Sequence, residues 1–176
     1  MADTALAVRE HRTVAGHTLR YRQRAGEGMG VLFLCGFRSD MESTKATALD
    51  EFCAAENIPF TRFDYFAHGK SDGDFIDYTI SAGLADALEM LDYVAIGEQI
   101  LVGSSMGGWI GLLAALRRKG QVRGLVGVAA APDFTERFPS KMTPEERKTI
   151  EEEGVIWRNS DYWGKSVPTT KNLLDE

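Results

Sequence analysis

Cysteine is scarce in this chain: Cys35 and Cys53 are the only two among 176 residues. Two cysteines cannot form the disulfide framework that stabilises small secreted domains, and this favours a reducing compartment. Residues 2–28 are polar and mixed in charge, unlike a secretory signal peptide. We therefore expect a cytoplasmic protein whose two thiols are packed rather than reactive.

An excess of basic charge and long hydrophobic runs are also lacking. The net charge of −6 argues against nucleic acid or an anionic membrane surface as a partner. The uncharged run at residues 100–116 is too short to span a membrane, and Gly-Ser-Ser-Met-Gly-Gly interrupts it. Histidine, cysteine and carboxylate residues do not cluster at metal-ligand spacing, and no glycine loop has a phosphate-binding pattern. The sequence therefore predicts neither a metal site nor a cofactor.

The strongest functional signal lies at residues 100–116. The apolar run Ile100-Leu101-Val102 enters a turn in which Gly103 and Gly107 flank Ser105, and an apolar pattern with helical spacing follows. Strand, sharp turn and helix around a G-x-S-x-G serine form the nucleophile elbow of a serine hydrolase. The glycines are needed because side chains would collide across so tight a turn. The alternative is that the glycines serve only the turn and Ser105 is a helix cap.

Strands alternate with helices along residues 1–131. Two short strands within residues 6–23 precede three buried apolar strands near residues 31–35, 60–65 and 122–131, besides the strand that enters the Ser105 turn. Amphipathic helices are predicted from Ser43 and from Ile80. This order predicts an α/β fold: a mostly parallel sheet with helices on both faces, following an N-terminal hairpin.

From Pro132 the pattern changes, and we interpret residues 132–176 as a helical cap segment on a core formed by residues 1–131. Thr143, Pro144 and Glu146 have the pattern of a capping box with proline at the first helical position. Aromatic residues are dense in this segment, and they serve either to bind an acyl group or only to anchor short helices. They are Phe134, Phe138, Trp157, Tyr162 and Trp163.

Three blocks of sequence, at residues 34–46, 62–73 and 101–109, resemble the α/β-hydrolase superfamily and occur in its order. The chain is most similar to the group around α/β-hydrolase domain-containing protein ten, whose members are serine esterases and thioesterases. They are described as palmitoyl-protein thioesterases and acyl-glucuronide esterases. The resemblance implies that Ser105 is the nucleophile. It also implies that the backbone N–H groups of Phe37 and Met106 form the oxyanion hole.

The chain departs from the superfamily's triad order of serine, acid and histidine, because no histidine follows Ser105. His68 is the only local candidate for the base, although its Gly-rich turn resembles one in which histidine is structural. Asp133 is a candidate acid or a helix cap. His11 and His17 are expected at the surface. The resemblance places the missing acid and histidine in C-terminal strands and loops that we expect to be absent from this chain.

We therefore expect a serine hydrolase scaffold for carboxylic esters or acyl thioesters, acting through an acyl-enzyme on Ser105. Three explanations of the missing base stay open: a fragment of a longer hydrolase, one half of a split enzyme with a complementing chain, or a natural short form. The alternative function is a catalytically silent module that binds acyl groups or proteins. The unpaired sheet edge left by the missing strands also predicts a homodimer or aggregation.

Overall fold

The computed structural model describes residues 6–160 and 165–176. A six-stranded sheet with the order β1-β2-β4-β3-β5-β6 forms its centre. The six strands are β1 (Arg9–Arg12), β2 (Thr18–Arg24), β3 (Gly30–Leu34), β4 (Phe60–Asp64), β5 (Gln99–Ser104) and β6 (Val122–Val128).

The sheet is antiparallel at its N-terminal edge and parallel elsewhere. Strands β1 and β2 form a hairpin, and β2 pairs antiparallel with β4. The remaining pairs, β4 with β3, β3 with β5 and β5 with β6, are parallel. This is the α/β architecture that the sequence predicts. Its parallel strands all end at one edge of the sheet, so the loops after β3, β4, β5 and β6 share that edge.

Three long helices pack on the sheet: α1 (Thr44–Ala55), α2 (Ile80–Tyr93) and α3 (Met106–Arg117). Helix α3 packs against β5, β6 and α2, whereas α1 contacts β4. The core between them is apolar, and Leu32, Leu101 and Ile110 are fully buried in it. Burial of this kind fixes the strand that precedes Ser105 and the helix that follows it.

Residues 132–176 contain helices and a hairpin. The helices are α4 (Phe134–Arg137), α5 (Pro144–Glu153) and α6 (Lys171–Leu174), and the hairpin pairs β7 (Val155–Ser160) with β8 (Lys165–Thr170). The predicted capping box of α5 is present: the Thr143 hydroxyl accepts the Glu146 N–H, and the Glu146 carboxylate accepts the Thr143 N–H.

The sequence predicts a helical segment here, so the β7–β8 hairpin differs from the prediction. Alternating side chains explain it, because Ile156 and Val167 are buried while Trp157 is exposed. Ile156 packs with Met142 and Ile150 in a small second cluster. Tyr162 and Trp163 lie outside the described residues, so their predicted contribution stays a prediction, as does the division of the chain at residue 131.

Strand β6 is the outer strand of the sheet in the described chain. Val126 is 52% exposed on it, and Leu116 is 65% exposed on the neighbouring helix α3. An exposed apolar strand edge can pair with another strand. Across residues 6–160 and 165–176, no helix combines the length and the apolar character needed to cross a bilayer.

His11 and His17 differ from their expected position at the surface. Each is partly buried and hydrogen-bonded to a carboxylate of α2: His11 Nε2 lies 2.8 Å from Glu89 Oε2, and His17 Nε2 lies 2.8 Å from Asp86 Oδ1. These pairs attach the β1–β2 hairpin to α2. The partners are 78 and 69 positions apart in sequence, so local patterns gave no sign of them.

Candidate active site

Ser105 lies at the turn between β5 and α3, at the edge where the parallel strands end. Its backbone angles, φ 53° and ψ −117°, are in a region that residues other than glycine rarely adopt. Two hydrogen bonds hold it there: its N–H donates to Val128 O at 3.0 Å, and its carbonyl accepts the Ala131 N–H at 3.1 Å. The Ser105 side chain makes no capping hydrogen bond to the helix, which contradicts the reading of this serine as a simple cap.

The two glycines beside Ser105 are required by close backbone contacts. A Cβ at Gly103 would lie 2.3 Å from Gly107 O, directly across the turn. A Cβ at Gly107 would lie 2.1 Å from Leu34 O, at the end of the neighbouring strand β3. Gly103 therefore permits the turn itself, and Gly107 lets α3 approach the sheet.

The loop after β3 brings Phe37 next to this turn. A Cβ at Gly36 would lie 3.4 Å from the Cβ of Ser105, so the two segments are in contact. Met106 is the first residue of α3, where N–H groups have no intrahelical acceptor. Within the described part of the chain, neither the Phe37 N–H nor the Met106 N–H donates to another protein group.

A cavity of 530 Å³ opens beside Ser105. The loop after β3 and the start of α1 form most of its wall, with Ser104 and Ser105 on the other side. Its charged lining residues are of both signs: Arg38, Asp40, Glu42 and Lys45. A polar wall of this kind suits a polar part of a ligand better than a hydrocarbon chain.

Aromatic side chains pack around Phe37, which lines the cavity. The Phe37 ring packs against Phe75 with centroids 5.0 Å apart and against Phe134 with centroids 5.8 Å apart. Phe134 also meets Trp109 of α3 edge to face at 5.8 Å. One aromatic residue of the segment after residue 131 therefore contacts both the loop after β3 and the helix after Ser105. Phe138 lies elsewhere, in the second cluster.

His68 is placed as a structural residue. It is 3% exposed, its Nδ1 lies 3.0 Å from Phe66 O, and its Nε2 accepts the Arg38 N–H at 3.1 Å. Burial lowers the pKa of His68 to about 4, with a smaller contribution from the Arg38 charge. A neutral ring with both nitrogens bonded has no free position for a serine proton.

A match over most of the sequence identifies the family of this chain. The profile described as the Alpha/beta hydrolase family matches residues 31–171. The chain belongs to this family.

Relatives of this α/β-hydrolase support the same assignment. The bovine protein named palmitoyl-protein thioesterase ABHD10, mitochondrial, is 41% identical over 149 residues, which are 85% of this chain and 49% of the relative. The structure of mouse α/β-hydrolase domain-containing protein 10 matches with a TM-score of 0.85 and 34% identity, covering 96% of this chain and 68% of that one. A putative hydrolase from Agrobacterium vitis matches with a TM-score of 0.88 and 34% identity, over 96% and 70%.

The α/β-hydrolase chain spans about half the length of the curated relatives it matches. The names of the bovine, rat, mouse and human relatives place those proteins in the mitochondrion. This overturns the expected cytoplasmic location. The expectation failed because a low cysteine count indicates a reducing environment without distinguishing one reducing compartment from another.

The structure bears on two further residues of this α/β-hydrolase. Asp133, the candidate acid or cap, is exposed with φ 53° and makes no side-chain capping hydrogen bond, so the alternative of a cap is wrong. Its role as the acid stays a prediction. Asp64 had no predicted role, yet it is buried, and its carboxylate accepts the Met41 N–H at 2.7 Å and the Lys70 N–H at 2.8 Å. A charged residue at the end of a buried strand was the available signal.

The strained backbone of Ser105 predicts a difference between two substitutions. Ser105→Gly is expected to be about 1 kcal/mol more stable than Ser105→Ala, because glycine adopts this φ without the usual penalty of about 1–3 kcal/mol, less its greater entropy when unfolded. Both variants remove the hydroxyl, so urea unfolding of the pair isolates the backbone. Equal stability of the two variants would show that the turn is unstrained.

Proposed function

We propose that this chain carries the nucleophile and the oxyanion hole of a serine hydrolase for carboxylic esters or acyl thioesters. One observation carries the proposal: Ser105 has a strained backbone, and its hydroxyl makes no capping hydrogen bond to the helix. It lies beside a loop whose Phe37 N–H donates to no acceptor among residues 6–160 and 165–176. A turn that served folding alone would have no need of this strain. Mitochondrial palmitoyl-protein thioesterase relatives support an acyl thioester as the substrate.

The proposed reaction has two steps. The Ser105 Oγ attacks the acyl carbonyl, its proton passes to a base, and the N–H groups of Phe37 and Met106 stabilise the negative oxygen of the tetrahedral intermediate. Collapse of this intermediate breaks the bond to the thiol or alcohol, which leaves with a proton. Water then attacks the acyl-enzyme through a second tetrahedral intermediate, releasing the acid and restoring Ser105.

The base and the acid of the triad are proposed to come from outside these 176 residues. Both ring nitrogens of His68 are engaged. His11 and His17 belong to the β1–β2 hairpin, which β4 and β3 separate from the strand that leads to Ser105. A longer form of the chain or a complementing chain would supply them. Without them, the oxyanion hole alone retains part of the catalysis.

The polar cavity and the aromatic cluster around Phe37 suggest how a substrate lies. Phe37 and Phe134 are only partly buried and offer apolar surface for the acyl chain, with the buried Trp109 packed behind Phe134. The cavity lined by Arg38, Asp40 and Lys45 offers a polar surface for the leaving group. A long acyl group joined to a polar thiol has this combination of properties.

Labelling with a fluorophosphonate probe tests the proposal. We expect intact-mass spectrometry to show one added probe per chain, formed slowly and lost in Ser105→Ala, because the oxyanion hole stabilises the attacked phosphorus centre. Ser81→Ala, on the exposed start of α2, is the matched control and should label like the wild type. Labelling no faster than that of the urea-unfolded chain would contradict the proposal.

The second candidate is a silent module that binds acyl groups. The engaged nitrogens of His68 favour it, because the histidine in the loop after β4 cannot accept a proton from Ser105 while both its nitrogens are bonded. In that case a fatty acyl analogue would bind and quench Trp109 fluorescence equally in the wild type and in Ser105→Ala, while neither protein would be labelled.

A further inference from the structure

The loop that carries the Phe37 N–H forms a tight turn. Ser39 N–H donates to Gly36 O at 3.0 Å, and Arg38, at the third position, has φ 59° while Phe37 has a negative φ. This is the pattern of a type II turn, whose third position normally requires glycine or asparagine. Arginine there is unfavourable, so contacts from elsewhere in the fold must hold the turn.

Those contacts come from the loop after β4. Strands β3 and β4 are parallel neighbours, so the loops that follow them lie side by side. His68 Nε2 accepts the N–H of Arg38 at 3.1 Å, and this N–H belongs to the central peptide of the turn. Asp64 adds a second connection, because its carboxylate accepts one N–H from each loop, those of Met41 and Lys70.

The orientation of the His68 ring follows from its partners. A carbonyl such as Phe66 O can only accept, so Nδ1, 3.0 Å away, carries the hydrogen. Nε2 is then the lone-pair nitrogen, as the Arg38 N–H requires. The backbone of His68 is itself held, since its N–H donates to Tyr65 O and its carbonyl accepts the Ser71 N–H, both at 3.0 Å.

We propose that His68 is a positioning residue that fixes the oxyanion-hole turn through the Arg38 N–H and takes no part in proton transfer; this rests on the proposed function. Without the acceptor, the Arg38 N–H would lose its hydrogen bond to His68 beside a buried ring, which is costly. Rotation of the central peptide would relieve that cost and give arginine an ordinary φ. It would also displace the adjoining peptide, which carries the Phe37 N–H.

Two substitutions of His68 distinguish the loss of its hydrogen-bond acceptor from a change in side-chain volume. His68→Phe keeps a ring without an acceptor, and His68→Gln offers an amide oxygen near the position of Nε2. His11→Gln is the matched control, because His11 contacts a carboxylate of α2 away from this loop. Folding of each variant is checked by urea unfolding, and the data are compared at equal folded fraction.

Probe labelling of Ser105 and amide hydrogen exchange give two independent measurements. We expect His68→Phe to lower the maximal labelling rate constant at least tenfold, with the half-saturating probe concentration within twofold, and to remove the exchange protection of the Arg38 amide. His68→Gln should recover both in part, and His11→Gln should match the wild type. A lost oxyanion donor commonly costs about a hundredfold or more in rate.

The two proposals fail in different ways. Ser105-dependent labelling that His68→Phe leaves unchanged would overturn the positioning role while the proposed function stands. An Arg38 amide that exchanges equally in all variants would overturn it as well. Absence of Ser105-dependent labelling in the wild type would overturn the proposed function, and the positioning role with it.

Discussion

Gly107→Ala is expected to destabilise the protein by more than about 3 kcal/mol and to abolish probe labelling of Ser105. The added Cβ would lie 2.1 Å from Leu34 O and 2.5 Å from Cys35 O. Both are backbone atoms, which cannot rotate away as a side chain can. Overpacking in a core usually costs about 1–3 kcal/mol, and a backbone clash should reach or exceed the upper end.

The displacement would also reach the proposed site. Cys35 leads directly into the loop of Gly36 and Phe37, and α3 starts at Met106, so moving α3 away from β3 separates the two proposed oxyanion donors. Loss of labelling is then expected even in the fraction of molecules that remains folded.

Urea unfolding measures the first effect, and labelling at equal folded fraction measures the second. Gly120→Ala is the matched control, because a Cβ at Gly120 would meet no atom within 4 Å. Alanine is otherwise the better helix former by about 1 kcal/mol, so a destabilised Gly107→Ala variant would owe its loss to the clash. A variant within about 0.5 kcal/mol of the wild type would show that α3 lies farther from β3.

Local sequence sufficed to predict the turn around Ser105 because the elements that form it are adjacent in sequence. The apolar strand, the two glycines and the helix occupy adjacent positions, and the structure confirms all three. The reason for Gly107 is only partly local, however: its side of the turn is crowded by Leu34 of another strand. The sequence indicated that glycine is needed at this position but could not identify Leu34 as the residue that requires it.

The features that escaped prediction depend on contacts between distant residues. His68 accepts from Arg38, 30 positions away, and His17 pairs with Asp86, 69 positions away. Nothing in the sequence around a histidine distinguishes a base from a structural acceptor, because the distinction lies in which groups face its two nitrogens. The β7–β8 hairpin escaped for a related reason, since its strands are stabilised by each other and by α5.

Between pH 7 and pH 4, the free energy of unfolding of His68→Gln is expected to rise by about 3 kcal/mol relative to that of the wild type. The pKa of His68 is lowered from 6.5 to about 4 in the folded protein, chiefly by burial. A lowered pKa means that the unfolded chain takes up the proton first. The stability due to neutral His68 is therefore complete above pH 6.5 and is lost as the pH falls toward 4, at about 1.4 kcal/mol per unit.

Comparing His68→Gln with the wild type cancels the contributions of other groups whose effect on stability has the opposite pH dependence. Burial raises the pKa values of Asp64 and Asp86 to about 6, so each of these residues adds stability as the pH falls, and both are present in either protein. The free energy of unfolding is measured with urea at several pH values. On acidification, that of the wild type should thus fall relative to that of His68→Gln. Parallel curves would mean that His68 is charged or solvated in the folded state, and a charged imidazole has no lone pair with which to hold the Arg38 N–H.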